Sequence, residues 1–534
     1  MRREAGMFLH FARGLRRFYA EPITSESARQ TVKTSVEERE RAFLSLVERA
    51  VFGLPESPYR WLFQRCGIGF GDLAAMVRRG GLEETLGRLL DAGIYLSIDE
   101  FKGRSPLRRG REEYPGPSVP TDNPLMRGHF EAASSGSTGS RRRMVIDLDH
   151  LRYEACCNLL FLESAGIREA PLGLWRPVPP GSAGMKSALR SSVLGLRFER
   201  WFSQVRYSPL VPDSKSWAVT TTALIGSRLW GSRIPLPEYV PLDDAARVAA
   251  WMHAARSAGK PPHLDTNVSA ALLVARAARE KGLDISQSFF RTGSEPLTVE
   301  RAAILKQAGC RVVAHYSIAE TGPVAVACCD GVAPDDTHLL EGKMAVVMRA
   351  GVAGIHAPPD VEPIFLTTLL PTAPKIMINV ESGDTAVRQE RDCRCIFSEL
   401  GLRTHLHTIR SYEKLTAGGM HFLGSVLIRL IEETLPQRVG GDPADYQFVE
   451  LEHDAGARVA LRVHPRLGMV NENRLRELVA EELAKGGPAD KMMANLWRQG
   501  SVLEIHRSVP EATAGSKVLP LRFGLKRELK KETG

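Results

Sequence analysis

The sequence predicts an α/β protein in which a large N-terminal α/β domain with a helical lead-in is followed by a small α+β domain. Its 534 residues, 43% hydrophobic and 25% charged, exceed one ordinary domain but have the composition of a soluble globular protein. Through the middle of the chain, β-prone runs alternate with amphipathic helices, which is typical of a largely parallel sheet. After about residue 410 the order of predicted helices and strands becomes that of a small α+β domain.

Residues 1–110 are predicted to form the helical lead-in. Apolar residues recur at helical spacing in "ERAFLSLVERAVFG" and in "GLEETLGRLLDAGIYL". The stretch "KGRSPLRRGREEYPGPSVPTDNP" then breaks the pattern, because it is rich in glycine and proline.

Residues 111–410 are predicted to form the large α/β domain, and residues 411–534 the small one. In the large domain, "RMVIDL", "SQSFFRTG" and "RVVAHYSI" are β-prone, whereas "DHLRYEACCNLLFLESAG" and "TVERAAILKQAGC" have helical spacing. Segments such as "GKMAVVMRAG" and "EPIFLTTLL" extend it with β structure. In the small domain, "GSVLIRLIEETLP" and "NENRLRELVAEELAKG" predict helices, and "YQFVELEHD", "ARVALRVHP" and "SVLEIHR" predict strands. Ligands are expected at the loops that follow parallel strands.

The net charge of +9 arises from 71 basic and 62 acidic residues spread along the chain. It favours anionic small molecules slightly and predicts no nucleic-acid partner. No run of about 18 apolar residues occurs, so we expect a cytoplasmic protein without stable membrane insertion. The first 20 residues predict a helix that docks Met7, Phe8, Phe11 and Leu15 on the core, with an amphipathic helix on a membrane surface as the alternative.

The stretch "SSGSTGSRRR" predicts either a phosphate-binding loop or a flexible basic surface loop. Gly136 and Gly139 permit tight turns with positive φ, and the serine and threonine hydroxyls can donate to phosphate oxygens. It is not a Walker loop, because the Gly-Lys-Ser/Thr ending is missing.

Four stretches in order resemble the adenylate-forming superfamily, the acyl-CoA synthetases and their relatives, especially its phenylacetate-CoA ligase and CapK-like branch. "ASSGSTGSRRR" resembles the phosphate loop, "RTGSEPLT" the Gly-x-Glu-Pro segment, "HYSIAETGP" the Tyr-Gly-x-Ser/Thr-Glu segment and "ESGDTAV" the Thr-Gly-Asp segment. "AGIYLSIDEFKGRSP" is similar to the helix and loop that precede them in CapK-like proteins. The resemblance implies a large adenylate-forming domain and a small, mobile C-terminal domain.

The resemblance also implies a site for ATP and Mg²⁺. The residues implied to bind ATP or AMP are Ser134, Ser135, Gly136, Ser137, Thr138, Gly139, Gly293, Ser294, Glu295, Pro296, Tyr316, Asp384 and Arg410. Tyr316 would stack on adenine, Glu320 would hold Mg²⁺ and Asp384 would accept hydrogen bonds from the ribose. The alternatives are a buried aromatic, a solvated glutamate and an aspartate in an ordinary turn.

Lys517, in "TAGSKVLPLR", is implied to be the catalytic lysine that neutralises charge at the α-phosphate, with a lysine of a basic tail as the alternative. The hinge between the domains is expected within "SYEKLTAGG". Ser317 and Ala319 depart from the usual glycine and hydroxyl residue, so one phosphate contact is missing. Arg141 and Arg142 stand where many relatives have proline and lysine.

The eight cysteines are expected to be reduced thiols or metal ligands. Cys393 and Cys395 form a Cys-x-Cys that resembles a cysteine-rich turn of the branch, and Cys328 and His338 precede it. Three thiolates and an imidazole suit structural Zn²⁺. Free thiols in the core are the alternative, and Cys329 competes with Cys328.

The resemblance implies that the protein adenylates a carboxylic acid, aryl or related, and transfers the acyl group to coenzyme A. The acid pocket is expected between residues 174 and 240, where Trp175, Trp201 and several arginines could bind an aromatic or anionic substrate. Packed tryptophans and solvated arginines fit equally well. A carrier-protein thiol, a protein cysteine or an amine is the alternative acceptor. A slow nucleotide-binding accessory protein in polysaccharide or secondary-metabolite assembly is the alternative function, and a homodimer is expected from base rates.

Overall fold

The computed structural model describes residues 2–116, 119–126, 130–133, 143–179, 182–208, 214–355, 357, 361–412, 427, 429–451, 458–485, 503–512, 518 and 520–525. Two compact units are distinguished, and the change from one to the other falls between Ile409 and Arg410. The first unit includes the N-terminal helices. The mixed α/β architecture, with a large sheet in one unit and a small sheet in the other, confirms the predicted fold class.

The helices of the first unit are Arg2–Ala20 (α1), Ser25–Glu37 (α2), Arg39–Val47 (α3), Pro58–Arg65 (α4), Phe70–Asp91 (α5), Ile98–Phe101 (α6), Leu148–Ser164 (α7), Ser182–Val193 (α8), Ser214–Trp230 (α9), Ala245–Ser257 (α10), Val268–Lys281 (α11), Val299–Gln307 (α12) and Ile396–Glu399 (α13). A π-helical turn, Glu48–Phe52, and a 3₁₀ turn, Leu242–Asp244, supplement them. Phe11 and Leu15 of α1 are fully buried, so the docking predicted for this helix is confirmed at those two positions. The predicted helix "GLEETLGRLLDAGIYL" starts at a sharp bend inside α5, where Gly81 has φ 77°.

The strands of the first unit are Arg108–Arg109 (β1), Glu112–Glu113 (β2), Phe130–Ala133 (β3), Arg143–Ile146 (β4), Leu172–Trp175 (β5), Phe198–Ser203 (β6), Pro237–Tyr239 (β7), His263–Asp265 (β8), Phe289–Gly293 (β9), Arg311–Ile318 (β10), Gly322–Ala327 (β11), Thr337–Leu339 (β12), Met344–Met348 (β13), Pro363–Thr368 (β14), Val380–Glu390 (β15) and Thr404–Ser411 (β16). β1 pairs with β2, and β3 with β4, as separate two-stranded ribbons. The predicted strand "RMVIDL" is therefore β4 of a ribbon and not a strand of the large sheet.

The large sheet has twelve strands in the order β13-β14-β15-β16-β12-β11-β10-β9-β8-β5-β6-β7. Its half from β10 to β7 is parallel, as the alternating strand–helix pattern predicts. The pairs β10–β11, β11–β12 and β12–β16 are antiparallel. Helix α7 lies in the core with nearly every residue buried, because its sequence is apolar on all faces apart from a few polar groups.

The second unit contains Tyr446–Leu451 (β17), Arg458–Val463 (β18), Leu503–His506 (β19) and Leu521–Leu525 (β20) in the order β19-β18-β17-β20. Its helical segments are Leu430–Thr434 (π), Leu435–Val439, Pro443–Asp445 (3₁₀), Pro465–Leu467 (3₁₀) and Glu472–Leu483. Leu430, Leu461 and Val479 lie in its hydrophobic core. The three predicted strands and the helix Glu472–Leu483 are present, and the described part of the other predicted helix is helical from Leu430 to Val439. β20 is an addition that the sequence pattern did not indicate.

Acid is expected to destabilise the first unit through His263. Burial, together with the nearby Arg291, lowers the pKa of this imidazole on β8 to about 3. Between pH 6.5 and 3 the unfolded chain therefore binds the extra proton, so stability present above pH 6.5 is lost as the pH falls. From pH 7 to 5 this amounts to about 2 kcal/mol, at about 1.4 kcal/mol per pH unit.

Urea unfolding at the two pH values measures this loss, with His263→Gln as the comparison. The variant lacks the titrating group, so its decrease between pH 7 and 5 should be about 2 kcal/mol smaller than that of the unmodified protein. If the free energy of unfolding decreases equally in the variant and in the unmodified protein, His263 has the same pKa in the folded and unfolded states.

Candidate functional site

The carboxyl ends of β9 and β10 meet at one edge of the parallel half-sheet, where His315 is in register with Gly293. Ser294, directly after β9, has φ 71°, so the backbone turns sharply there. The carboxylate of Glu295 accepts hydrogen bonds from the backbone N–H of Ser269, at 2.7 Å, and from its hydroxyl, at 3.0 Å. Glu295 thus ties the "RTGSEP" loop to the start of α11.

Tyr316 and Asp384 are brought together from positions far apart in the sequence. The Tyr316 hydroxyl donates to Oδ2 of Asp384 at 2.9 Å, and the Tyr316 side chain is buried at the end of β10. Burial and then the Asp384 charge hold the pKa of Tyr316 well above its usual range, so the phenol stays a donor. The Asp384 backbone N–H binds the Ser382 hydroxyl at 3.1 Å.

Glu320 lies in the turn between β10 and β11 and is half-buried. It makes no hydrogen bond or ion pair with any described residue. The next residue, Thr321, is fully buried, and its carbonyl accepts a hydrogen bond from Nζ of Lys343 at 2.7 Å. The hydrogen bond from Lys343 therefore holds the turn, while the Glu320 carboxylate is not engaged by any residue in the described part of the chain.

A buried charge cluster supports this turn. Glu154 of α7 accepts from Lys343 at 2.9 Å through Oε1 and from Arg190 of α8 at 2.6 Å through Oε2. Lys343 also donates to the Pro323 carbonyl at 2.8 Å. Burial and then the charge of Lys343 lower the pKa of His150 to about 3, so the imidazole beside Glu154 is neutral. Sequence analysis missed this cluster, although Glu154 inside the apolar run of α7 and Lys343 directly before that of β13 were visible signals.

Gly322 fits directly against the cluster. It has φ 76°, and a Cβ at this position would lie 2.2 Å from Oε1 of Glu154. Only glycine allows both the backbone conformation and the close approach of the turn to that carboxylate.

A second charged group lies at the ends of β5, β8 and β9. Asp265 accepts from Nε of Arg176 at 2.7 Å and from Nη2 of Arg291. Arg176 also donates to the Thr266 carbonyl at 2.6 Å. The two arginines, and Arg291 first, hold the pKa of Asp265 far below its usual value despite burial. These residues were not singled out from sequence.

The tryptophans predicted to line an acid pocket are core residues. Trp175 and Trp201 are almost fully buried, and their indole N–H groups donate to the Val240 and Arg176 carbonyls at 3.0 Å each. The alternative of packed tryptophans is thus the correct one, because both rings fill hydrophobic clusters between the sheet and its helices.

Cys328, His338, Cys393 and Cys395 form one cluster, here called the thiol–imidazole cluster. The Sγ atoms of Cys328 and Cys393 are 3.7 Å apart, and those of Cys393 and Cys395 are 3.0 Å apart. Nε2 of His338 lies 2.8 Å from Sγ of Cys395 and 3.4 Å from Sγ of Cys393. All four residues are buried or half-buried, and the cysteines are free thiols, so no disulfide closes the group.

The donor types suit a tetrahedral metal. Zinc–sulfur distances of about 2.3 Å and zinc–nitrogen distances of about 2.0 Å separate ligands by roughly 3.5–3.8 Å. The sulfur atoms of Cys328 and Cys393, 3.7 Å apart, have this separation, whereas Sγ of Cys395 lies closer, 3.0 Å from Sγ of Cys393 and 2.8 Å from Nε2 of His338. Nδ1 of His338 is 2.9 Å from the Leu402 carbonyl, which orients Nε2 towards the thiols. His405, opposite His338 in the β12–β16 register, adds a candidate that sequence analysis missed, and ligand atoms of Cys328, His338, Cys393 and His405 lie within 4.8 Å of one another. Cys328 joins the cluster, whereas Cys329 is exposed.

Nine residues that the sequence analysis singled out fall in parts of the chain that the structure does not describe. Ser134, Ser135, Gly136, Ser137, Thr138, Gly139, Arg141, Arg142 and Lys517 lie outside the described residues. Arg410 lies in β16, one residue before its end.

Among the described residues, none of the helices combines the length and apolar content that crossing a membrane requires.

The fold is similar to that of adenylate-forming acyl-CoA ligases. A structure of 2-hydroxyisobutyryl-CoA ligase in the postadenylation state, in complex with R3-HIB-AMP, aligns with a TM-score of 0.52 at 16% identity, covering 95% of this chain and 90% of that one. ATP-bound MatB from Rhodopseudomonas palustris aligns with a TM-score of 0.43 at 15% identity, covering 73% of this chain and 66% of that one. The anthranilate-CoA ligase AuaEII in complex with anthranoyl-AMP aligns with a TM-score of 0.43 at 14% identity, covering 73% and 65%. No protein-family model matches the chain, and no curated protein matches it by sequence.

Proposed function

We propose that the protein activates a carboxylic acid with MgATP and passes the acyl group to a thiol. In the first step a carboxylate oxygen attacks the α-phosphorus, the bond from this phosphorus to the pyrophosphate oxygen breaks, and acyl-adenylate and pyrophosphate form. In the second step a thiol attacks the acyl carbon, loses its proton and releases AMP. The protein contributes alignment and charge neutralisation.

The observation that carries this proposal is the Tyr316–Asp384 hydrogen bond at the edge of a sheet with an acyl-CoA ligase-like fold. Tyr316 would present its ring to adenine while its hydroxyl holds the carboxylate of Asp384 for the ribose. Glu320, whose oxygens are not engaged by described residues, would hold Mg²⁺ against the phosphates. Ser134–Gly139 would hold the phosphates, and Lys517 would neutralise charge during adenylation.

The class of acid, the acceptor and the branch of the superfamily are proposed from the sequence resemblance. The acid is an aryl or related carboxylate, coenzyme A is the acceptor, and the branch is that of phenylacetate-CoA ligase. The small unit would rotate between the two steps, so Lys517 would leave before the thiol enters. A carrier-protein thiol is the alternative acceptor.

We also infer that the thiol–imidazole cluster holds one structural Zn²⁺. Cys328, Cys393, Cys395 and His338 would supply three sulfur ligands and one nitrogen, which leaves no open position for a substrate. The ion would join the β11–β12 region to the segment before β16, because its ligands come from both.

Asp384→Asn tests the nucleotide site. The variant keeps the size of the side chain but loses its charge, so its hydrogen bonds to ribose hydroxyls weaken by about 1.5–3 kcal/mol. We expect the KM for ATP to rise by about 10–100-fold. Pyrophosphate release across a panel of aryl, alkyl and amino acids, with hydroxylamine as the trap, measures the reaction.

Two variants serve as controls. Tyr316→Phe keeps the ring and removes only the hydroxyl, so its KM for ATP should rise less than that of Asp384→Asn. Asp243→Asn, at an exposed position, should have the same KM for ATP as the unmodified protein. Acid-dependent release with an unchanged KM for ATP in Asp384→Asn would contradict the role of Asp384. ATP binding without release for any acid would favour the accessory protein.

A further inference from the structure

Glu320 lies at the tip of a tight hairpin formed by β10 and β11. Ile318 is in register with Gly322, so three residues connect the two strands, with Glu320 in the middle. In so short a connection the direction of the Glu320 side chain depends on how the two strands are held beside the tip. On the β10 side, the hydrogen bond from Tyr316 to Asp384 holds the strand two residues before Ile318.

Lys343 holds the β11 side of the hairpin. Its Nζ donates to the carbonyl of Thr321 at 2.7 Å and to that of Pro323 at 2.8 Å, which are the first and third residues after the tip. Nζ also donates to Oε1 of Glu154 at 2.9 Å. An ammonium has three hydrogens, so these three acceptors use all of its donors and define its position.

The backbone of Lys343 is itself fixed from two sides. Its N–H donates to the Leu340 carbonyl at 2.7 Å, and its carbonyl accepts from the N–H of Leu369 at 3.0 Å. The Lys343 side chain is 1% exposed, so bulk water does not compete for its hydrogen bonds, which are stronger in such surroundings than at the surface. Lys343 is therefore a rigid support for the hairpin.

A second side chain reaches the same carbonyl. Nε2 of His150 lies 3.2 Å from the carbonyl oxygen of Thr321. A carbonyl can only accept, so Nε2 is the protonated nitrogen of this neutral imidazole. His150 and Glu154 are one helical turn apart on α7, so they lie on the same face of that helix. The hairpin is thus joined to α7 directly by His150 and through Lys343 by Glu154.

We propose that Lys343 is a positioning residue for Mg²⁺: anchored on Glu154, it holds the hairpin so that the Glu320 carboxylate is placed to bind the ion. The proposal rests on the MgATP site of the proposed function. Lys343 acts through the carbonyls of Thr321 and Pro323 and not by contact with the ion. Mg²⁺ requires nearly ideal octahedral geometry, so a displaced carboxylate binds it weakly. A misplacement of about 1 Å can cost about 100-fold in activity.

The affinity for ATP with and without the metal tests the proposal. Isothermal titration of the full-length protein with ATP, once with saturating Mg²⁺ and once with EDTA, gives two Kd values, and their ratio measures the contribution of the metal. Lys343→Met keeps most of the side-chain volume and removes the ammonium. We expect it to weaken binding of MgATP about 10–100-fold, the usual effect of losing a residue that orients a metal ligand, and binding of metal-free ATP less than about twofold.

Further variants separate positioning from stability. Adding Lys343→Met to Glu320→Gln should weaken MgATP binding by less than about twofold beyond Glu320→Gln alone, because the carboxylate to be positioned is already absent. Lys343→Arg keeps the charge beside Glu154 but presents its donors in a planar fork, so it should weaken MgATP more than metal-free ATP. It provides the measurement if circular dichroism shows that Lys343→Met does not fold. Lys33→Met, at a side chain that is 59% exposed, should leave both Kd values unchanged.

Other outcomes overturn the inference in distinguishable ways. Weaker MgATP binding in Glu320→Gln but not in Lys343→Met would refute the positioning role and leave the proposed metal ligand standing. Unchanged MgATP binding in both variants would refute the metal role of Glu320 and the inference with it. An equal loss of MgATP and metal-free ATP in Lys343→Met, or additive losses in the double variant, would show that Lys343 does not act through Glu320. A Lys343-dependent effect of Mg²⁺ without pyrophosphate release for any acid would support the inference and refute adenylation.

Discussion

Glu154→Gln is expected to lower the free energy of unfolding by about 3–5 kcal/mol, the usual cost of breaking a buried ion pair by removing one partner. The side chain of Glu154 is 1% exposed and binds both Lys343 and Arg190. Both cations would stay buried without their anion. The attraction of these cations, Lys343 first, holds the pKa of Glu154 well below its usual value despite burial, so the carboxylate is charged in the folded protein.

Urea unfolding, followed by circular dichroism, measures the change in Glu154→Gln. Glu169→Gln is the matched control, because that side chain is 93% exposed, and it should change the free energy by less than about 0.5 kcal/mol. Adding Lys343→Met to Glu154→Gln removes one of the stranded charges and should recover part of the loss. A change below about 1 kcal/mol in the single variant would show that Lys343 and Arg190 find other partners.

Cys395→Ser is expected to abolish zinc binding. The unmodified protein, purified without chelators, should contain about one zinc per chain by elemental analysis, and the variant less than about 0.2, because a serine hydroxyl is a much poorer zinc ligand than a thiolate. A lower midpoint of thermal unfolding should accompany the loss, because the ion would join segments far apart in the sequence.

Three comparisons define the zinc result. Cys66→Ser, at an exposed cysteine outside the cluster, should keep its zinc. Full zinc in Cys395→Ser together with loss in His405→Gln would make His405 the fourth ligand. Absence of zinc from the unmodified protein, and no uptake on adding it, would leave the cluster as free thiols.

The sequence predicted helices and strands well where its apolar residues were periodic, and it predicted single site residues where a motif contained them. The strands that end at Gly293 and Ile318 were readable from β-prone runs, and "ESGDTAV" pointed to Asp384. Their spatial relation, the Tyr316 hydroxyl on the Asp384 carboxylate, depends on pairing across the sheet, which spacing along the chain does not specify.

The buried charges were harder to predict, because a lysine or glutamate in an apolar run has no visible partner in the sequence. Glu154 and Lys343 are 189 residues apart and become interpretable only when α7 and β13 are placed together. Trp175 and Trp201 show the reverse case, since aromatic residues expected at a ligand site fill the core instead. The predicted domain boundaries, the nucleotide contacts and the zinc remain predictions.

The order of strands in the large sheet has a consequence for how the protein is made. β12 pairs with β16 and not with β13, which follows it in the chain. At about 5–20 residues per second, a ribosome needs several seconds to reach β16 after completing β12. During that interval the free edge of β12 can pair with another nascent chain, and Cys328 can be oxidised before Cys393 and Cys395 have been synthesised. The protein should therefore depend more on chaperones and a reducing environment during translation than after it.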